Sequence, residues 1–128
     1  MSALVVDTTV WVEFFRGRNL PRLEQALSDG DVVLPPIVAA ELVSAPLAAG
    51  ERRRLEAFLH DLPLAPTPLE HWLRVGGLRV AAARKGLTVS TPDAHVAQVA
   101  LDLGGVVWSD DEVFARLAGR SLVRRFVP

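Results

Sequence analysis

Three short runs of consecutive apolar residues constrain this chain most: residues 3–6 (Ala-Leu-Val-Val), 32–34 (Val-Val-Leu) and 106–108 (Val-Val-Trp). A strand with one wet face alternates apolar and polar side chains, whereas these runs are apolar throughout and must be covered on both faces. Helical patterns separate them and no Asn-Gly hairpin signal occurs, so the sequence predicts an α/β layered fold with a mainly parallel sheet and residues 3–6 as its central strand.

The helices are read from spacing and punctuation. Residues 8–15 place Val10, Trp11, Phe14 and Phe15 at helical intervals and stop at Arg16-Gly17. Residues 21–28 form a second helix closed by Asp29-Gly30, and residues 37–49 a third with a break at Pro46. Residues 51–60 follow as a polar-faced helix, and residues 62–66 offer at most a proline-limited edge strand. Thr67-Pro68-Leu69-Glu70 has capping-box spacing and predicts a long helix to about Lys85, with Gly76-Gly77 as its weak point. Ser90-Thr91-Pro92-Asp93 starts a helix that is apolar nearly all round through Leu103. A short helix over residues 112–117 and a last strand from residues 122–127 complete the expectation.

At 128 residues and 50% hydrophobic content, the chain suits a single domain over residues 1–128 with ample core material. No apolar run reaches a membrane span and no signal-peptide pattern opens the chain, so a cytoplasmic location is expected. The absence of cysteine excludes disulfides, thiolate metal sites and cysteine nucleophiles. With 14 basic and 15 acidic residues, the chain has no overall field for duplex DNA, although arginines cluster at 52–54, 79–84 and 116–125.

Ligand crevices in open parallel sheets lie at the carboxyl ends of the strands. Asp7 directly follows the first strand, Asp110-Asp111 follows the last of the three runs, and Asp93 sits in the first turn of the buried helix. Glu41 interrupts an apolar segment, residues 37–43, where an ionised carboxylate is costly unless paired or bound to a cation. If these acids meet, they repel one another. A hard dication with oxygen ligands is the natural counterweight: Mg²⁺, or Mn²⁺ in its place. Such a site suits phosphodiester hydrolysis by water.

The stretches Asp7-Thr8-Thr9-Val10-Trp11-Val12-Glu13-Phe14-Phe15-Arg16-Gly17, Glu41 within a helix, Pro92-Asp93-Ala94-His95-Val96-Ala97 and Ser109-Asp110-Asp111-Glu112-Val113-Phe114 together resemble a PIN-domain ribonuclease, more narrowly the VapC toxins of bacterial toxin–antitoxin pairs. The resemblance covers nearly the whole chain. It implies a three-layer α/β/α PIN-like fold, cleavage of RNA dependent on Mg²⁺ or Mn²⁺, homodimers, and inhibition by a VapB-type antitoxin. It further implies that Asp7, Glu41, Asp93 and Asp111 are the catalytic acids, with Asp7, Asp93 and Asp111 holding metal. Asp110 stands beside the expected register as an extra ligand or a mere neighbour. Thr9 and Ser109 are implied supporting residues and Arg16 a candidate contact to RNA, its alternative being a plain surface arginine. Water as nucleophile implies a 5′-phosphate and a 3′-hydroxyl.

Two rivals lack the residues they require. A receiver domain needs an acidic pair after the first strand and a lysine after a late one, yet Asp7 stands alone and Lys85 closes a helix. A haloacid-dehalogenase phosphatase needs an aspartate where Thr9 stands. The remaining alternative is a catalytically silent PIN-like module that binds RNA or protein. Of the histidines, His60 is expected at a helix end, His71 just past the capping box, and His95 in a structural or groove-lining role. Trp11, Trp72 and Trp108 are expected in the core or at a dimer interface rather than as base-stacking platforms.

Overall fold

The computed structural model describes residues 3–128. Its sheet has three parallel strands, β1 (Leu4–Val6), β2 (Val32–Val33) and β3 (Val106–Trp108), in the order β2-β1-β3. Leu4 pairs with Val32 on one side and Val106 on the other, so β1 is central as its unbroken apolar run requires. All three of its residues are buried.

Seven helices connect and cover the strands: α1 (Thr8–Phe15), α2 (Pro21–Asp29), α3 (Pro36–Val43), α4 (Ala49–His60), α5 (Leu69–Arg84), α6 (Thr91–Asp102) and α7 (Glu112–Gly119). Helix α6 packs on both β1 and β3 and lies along α5. Every residue from Ala94 to Ala100 is buried, which explains why this helix shows no polar face. Its start is fixed by Ser90, whose hydroxyl accepts the Asp93 N–H at 3.2 Å. No helix among the described residues is long and apolar enough to cross a membrane.

Several boundaries differ from the expected ones. The predicted helix over residues 37–49 ends at Val43, and Ala49 and Gly50 open α4 instead. Pro46 disfavours helical backbone at Ala45, and the Ser44 hydroxyl donates to the Ala40 carbonyl at 2.6 Å as α3 ends. The capping box at residues 67–70 does not form, because Pro68 itself is the extended N-cap residue and no side chain caps α5. Both outlying strands shrink to single bridges, Leu34 with Leu64 and Val107 with Arg125. Pro63 and Pro66 flank the first bridge and cannot donate to a ladder.

Gly76-Gly77 does not interrupt α5. Gly105 is the glycine that the sheet requires. A Cβ there would clash with the Ala3 carbonyl oxygen, the same oxygen that accepts the Val106 N–H at 3.0 Å. Gly105→Ala must therefore push β3 off β1, with an expected loss of about 2 kcal/mol read as a lower urea midpoint at unchanged slope. An unaltered midpoint would contradict this close approach.

Candidate active site

Asp7 takes its position from the sheet. Its N–H donates to the Trp108 carbonyl at 2.9 Å, extending the β1–β3 pairing by one bond before α1 begins. Although Asp7 is the N-cap residue of α1, its carboxylate makes no capping bond. Instead Oδ2 accepts from the Ser109 hydroxyl at 2.7 Å and from the Thr9 hydroxyl at 3.3 Å. Those two hydroxyls also receive the loop after β3: Ser109 accepts the Asp111 N–H at 3.0 Å, and Thr9 accepts the Asp110 N–H at 3.1 Å. Thr9 and Ser109 thus tie the ends of β1 and β3 together around one carboxylate.

The side chain of Asp7 is nearly sealed, at 6% exposure. Burial pushes its carboxyl above the usual range, and the Glu41 charge adds to the rise against the hydrogen bonds from Ser109, the Thr8 amide and Thr9. Asp93, half-buried in the first turn of α6, is also raised. Burial is the main cause, opposed by Ser90 and reinforced by the charges of Asp111 and Asp7. Acids from four separate segments therefore act on one another through this end of the sheet.

The four do not sit alike. Glu41 is exposed on α3, accepting from the Thr8 hydroxyl at 2.8 Å, and is not enclosed in apolar surroundings as its neighbours in sequence implied. The short helix buries only Val38 and Leu42, and Ala40, Glu41 and Ser44 face outward. Asp111 caps α7, its Oδ1 accepting the Val113 N–H at 3.0 Å. Asp110 lines a cavity of about 270 Å³ with Glu13, Arg18 and Arg22. Of the two, Asp111 is the acid whose charge reaches Asp93. No three His, Asp or Glu side chains among the described residues are already gathered as a metal-holding group.

Arg16 is a surface residue with a loose 3.5 Å contact to Glu13. It also borders a groove of about 630 Å³ between α1, α3 and α4, lined by Val12, Phe15, Leu42, Leu55 and Phe58. The sequence reading did not find this groove. Phe15 and Phe58 lie 5.4 Å apart edge to face against Trp11, a cluster that depends on α4 returning to α1. Of the tryptophans, Trp11 and Trp108 are core residues, and Trp72 is half-buried against His95.

Also missed was a buried polar chain between α5 and α6. His71 Nδ1 lies 2.7 Å from Asp102 Oδ2 and His71 Nε2 lies 2.8 Å from His95 Nδ1, both rings being fully buried. Arg74 and Gln98 complete the bonds to Asp102. The structural role expected of His95 is what these contacts describe.

With this geometry in view, the comparisons with known proteins are direct. The sequence profile of the PIN domain matches residues 4–120, and the chain belongs to the PIN domain family. No curated protein sequence matches it. Among solved structures, it is similar to FitAcB from Neisseria gonorrhoeae, with 22% identity, 98% of this chain and 97% of that one covered, and a TM-score of 0.69. VapBC-1 from nontypeable Haemophilus influenzae gives 16% identity, coverage of 97% and 96%, and a TM-score of 0.76. DNA-bound VapBC from Salmonella typhimurium gives 21% identity, 98% coverage of both chains, and a TM-score of 0.73.

Proposed function

We propose that this protein is the toxin of a VapBC-type pair and hydrolyses RNA with a divalent cation, Mg²⁺ or Mn²⁺, held by Asp7, Asp93 and Asp111. The observation that carries this reading is geometric: the buried Asp7 carboxylate is held by Ser109 and Thr9, the same hydroxyls that accept the Asp111 and Asp110 amides, and both Asp7 and Asp93 are raised, chiefly by burial and in part by other acids of the group. Evolution has no structural need for mutually repelling carboxylates at a strand end, and a cation removes the repulsion.

The donor set fits a hard dication. All its candidate ligands are carboxylate oxygens, and Mg²⁺ needs only a few from protein because it retains waters. Asp111 uses Oδ1 to cap α7, and Asp7 takes both hydroxyl bonds, from Ser109 and Thr9, on Oδ2. When bound, such an ion supplies Lewis-acid polarisation of the phosphate and a more acidic water.

The remaining chemistry belongs to the chain. Ser109 and Thr9 hold the Asp7 carboxylate in one orientation, which spares a bound ion the cost of ordering it. Glu41, exposed on α3 and close enough for its charge to act on Asp7, orients the attacking water and draws its proton. The water oxygen bonds to phosphorus, the P–O3′ bond breaks, and the leaving oxygen takes a proton to give a 3′-hydroxyl and a 5′-phosphate. Arg16, at the groove next to α1, receives the RNA backbone. A VapB-type antitoxin is the partner that blocks it, seated in the same aromatic-lined groove; what supports an antitoxin partner is that the similar structures are VapBC and FitAB complexes.

The test is cleavage of a mixed RNA pool by the purified chain with Mg²⁺, with Mn²⁺ and with excess chelator, alongside calorimetric titration of Mn²⁺. Cleavage that needs the metal and yields 5′-phosphate ends is the expected result. Absence of both metal binding and cleavage would instead establish the silent binding module.

A further inference from the structure

The cavity of about 270 Å³ beside Asp110 is lined by two carboxylates and two guanidiniums, Glu13 and Asp110 with Arg18 and Arg22. Among the described residues no two of these four pair with each other, and the one ion pair any of them makes is the loose contact of Glu13 to Arg16 at 3.5 Å. Arg22 is nonetheless held in place. Its guanidinium carbon lies 5.8 Å from the centroid of the Phe126 ring, and Phe126 packs on Trp108 at 4.9 Å. A planar cationic fork fixed by an aromatic ring, with no carboxylate of its own, is preorganised for a ligand.

The cavity adjoins the catalytic acids. Trp108, which supplies apolar wall together with Leu20, accepts the Asp7 N–H on its carbonyl at 2.9 Å. Asp110 donates its own N–H to Thr9 at 3.1 Å. Glu13 stands less than two turns of α1 beyond Asp7, a rise of about 9 Å. Whatever fills the cavity therefore lies next to the bond that is cut.

We propose that this cavity receives a guanine base of the RNA strand and directs cleavage to phosphodiesters beside guanine. A phosphate alone is a poor occupant, because it meets Glu13 and Asp110 as well as the arginines. A neutral ligand with one donor edge and one acceptor edge meets no like charge. Guanine has both edges in paired form: N1–H and the N2 amino group donate side by side to one carboxylate, and O6 and N7 accept side by side from one guanidinium. Adenine, cytosine and uracil have no edge with two adjacent donors. Of the two carboxylates Glu13 is half-buried and Asp110 exposed, which assigns N1 and N2 to Glu13. The fixed Arg22 takes O6 and N7, and the exposed Arg18 takes the phosphate of the same nucleotide. The size agrees, since the cavity falls just short of the roughly 300–1,000 Å³ of sites for drug-sized ligands and has room for a single base.

This assignment rests on the nuclease reading for its place beside the cut, whereas binding of the base needs no metal, and that difference separates the two tests. Calorimetric titration with the four nucleoside 5′-monophosphates in excess chelator is expected to show GMP bound at least about tenfold more tightly than AMP, CMP or UMP. Inosine monophosphate, which lacks the N2 amino group, is expected to bind about fivefold more weakly than GMP. Glu13→Gln, with one acceptor oxygen in place of two, is expected to bring GMP down to the level of AMP. Arg22→Lys keeps the charge and loses the fork, so GMP weakens and AMP does not. Arg18→Ala is expected to weaken all four nucleotides alike. With Mg²⁺ present, the ends cut from a mixed RNA pool are expected to map beside guanine. Asp7→Asn is expected to retain the GMP preference while losing cleavage. A preference for GMP without cleavage of any RNA thus sinks the nuclease reading alone. Four monophosphates bound equally, none bound at all, or cuts spread evenly beside all four bases overturns the guanine assignment.

Discussion

Asp7→Asn is expected to lower RNA cleavage by about 10³-fold while making the folded chain more stable, by about 1 kcal/mol near neutral pH. The two signs come from one cause. The native state penalises the ionised form of this carboxyl, since burial and Glu41 raise it above its ordinary value. Where the folded value exceeds the unfolded one, the favourable contribution is present at pH below the unfolded value of 3.8 and is lost as pH rises through the folded value. At neutral pH the penalty is therefore in force, and a neutral side chain of the same shape removes it. Asparagine still accepts the Ser109 hydroxyl through its oxygen, so the tie between β1 and β3 survives. Mn²⁺ affinity measured by calorimetry should fall together with cleavage. If Asp7 were only a structural anchor, the same variant would melt earlier and leave metal binding intact. Paired melting curves and titrations on wild type and variant separate the two cases.

What the sequence disclosed and what it withheld follow the range of the interactions involved. Asp7, Asp93 and Asp111 were readable because each is placed by a local rule: the end of an apolar run, the first turn of a helix with a serine cap, the loop after another apolar run. The parallel sheet was readable for the same reason, since unbroken apolar strands have few alternatives. Glu41 shows where the method stops. Its neighbours are apolar, but whether a position on a short helix faces in or out depends on how α3 packs against α1 and α6, which no local pattern fixes. His71 was passed over because its partners, Asp102 and His95, are 31 and 24 residues away and meet it only when α5 lies along α6. A weak signal existed. Asp102 is an acid at the last residue of a helix, where the dipole disfavours negative charge, and such a residue calls for a cationic or donating partner. The groove beside Arg16 had no comparable signal, because its lining comes from α1, α3 and α4, whose side chains meet only when those helices pack together.

The same buried chain makes stability fall steeply in acid. Burial pushes the His95 imidazole down to about 4 from 6.5, the nearby His71 lowers it further, and the Asp102 charge opposes both. A histidine that is harder to protonate when folded binds fewer protons than its unfolded counterpart between these two values. Stability is therefore complete above about pH 6.5 and declines as pH falls toward 4, by about 3 kcal/mol in all. Asp102 continues the decline. Burial acts to raise it, but the bonds from Arg74, His71 and Gln98 outweigh that and hold it at about 2, so its contribution is lost only between 3.8 and 2. Asp7 and Asp93 act in the opposite sense, since protonating a raised carboxyl favours the fold, and they soften the lower part of the curve. Urea midpoints measured from pH 7.5 to 4.5 should thus drop most between 6.5 and 4.5. His95→Phe keeps the stacking on Trp72, whose ring lies 4.7 Å away and nearly parallel, but removes the titrating nitrogens. That variant leaves His71 Nε2 without its partner and is less stable at neutral pH, yet its midpoint should vary much less with pH over this window. An equally steep profile in the variant would assign the acid sensitivity to other groups and leave the His71–His95 contact as packing alone.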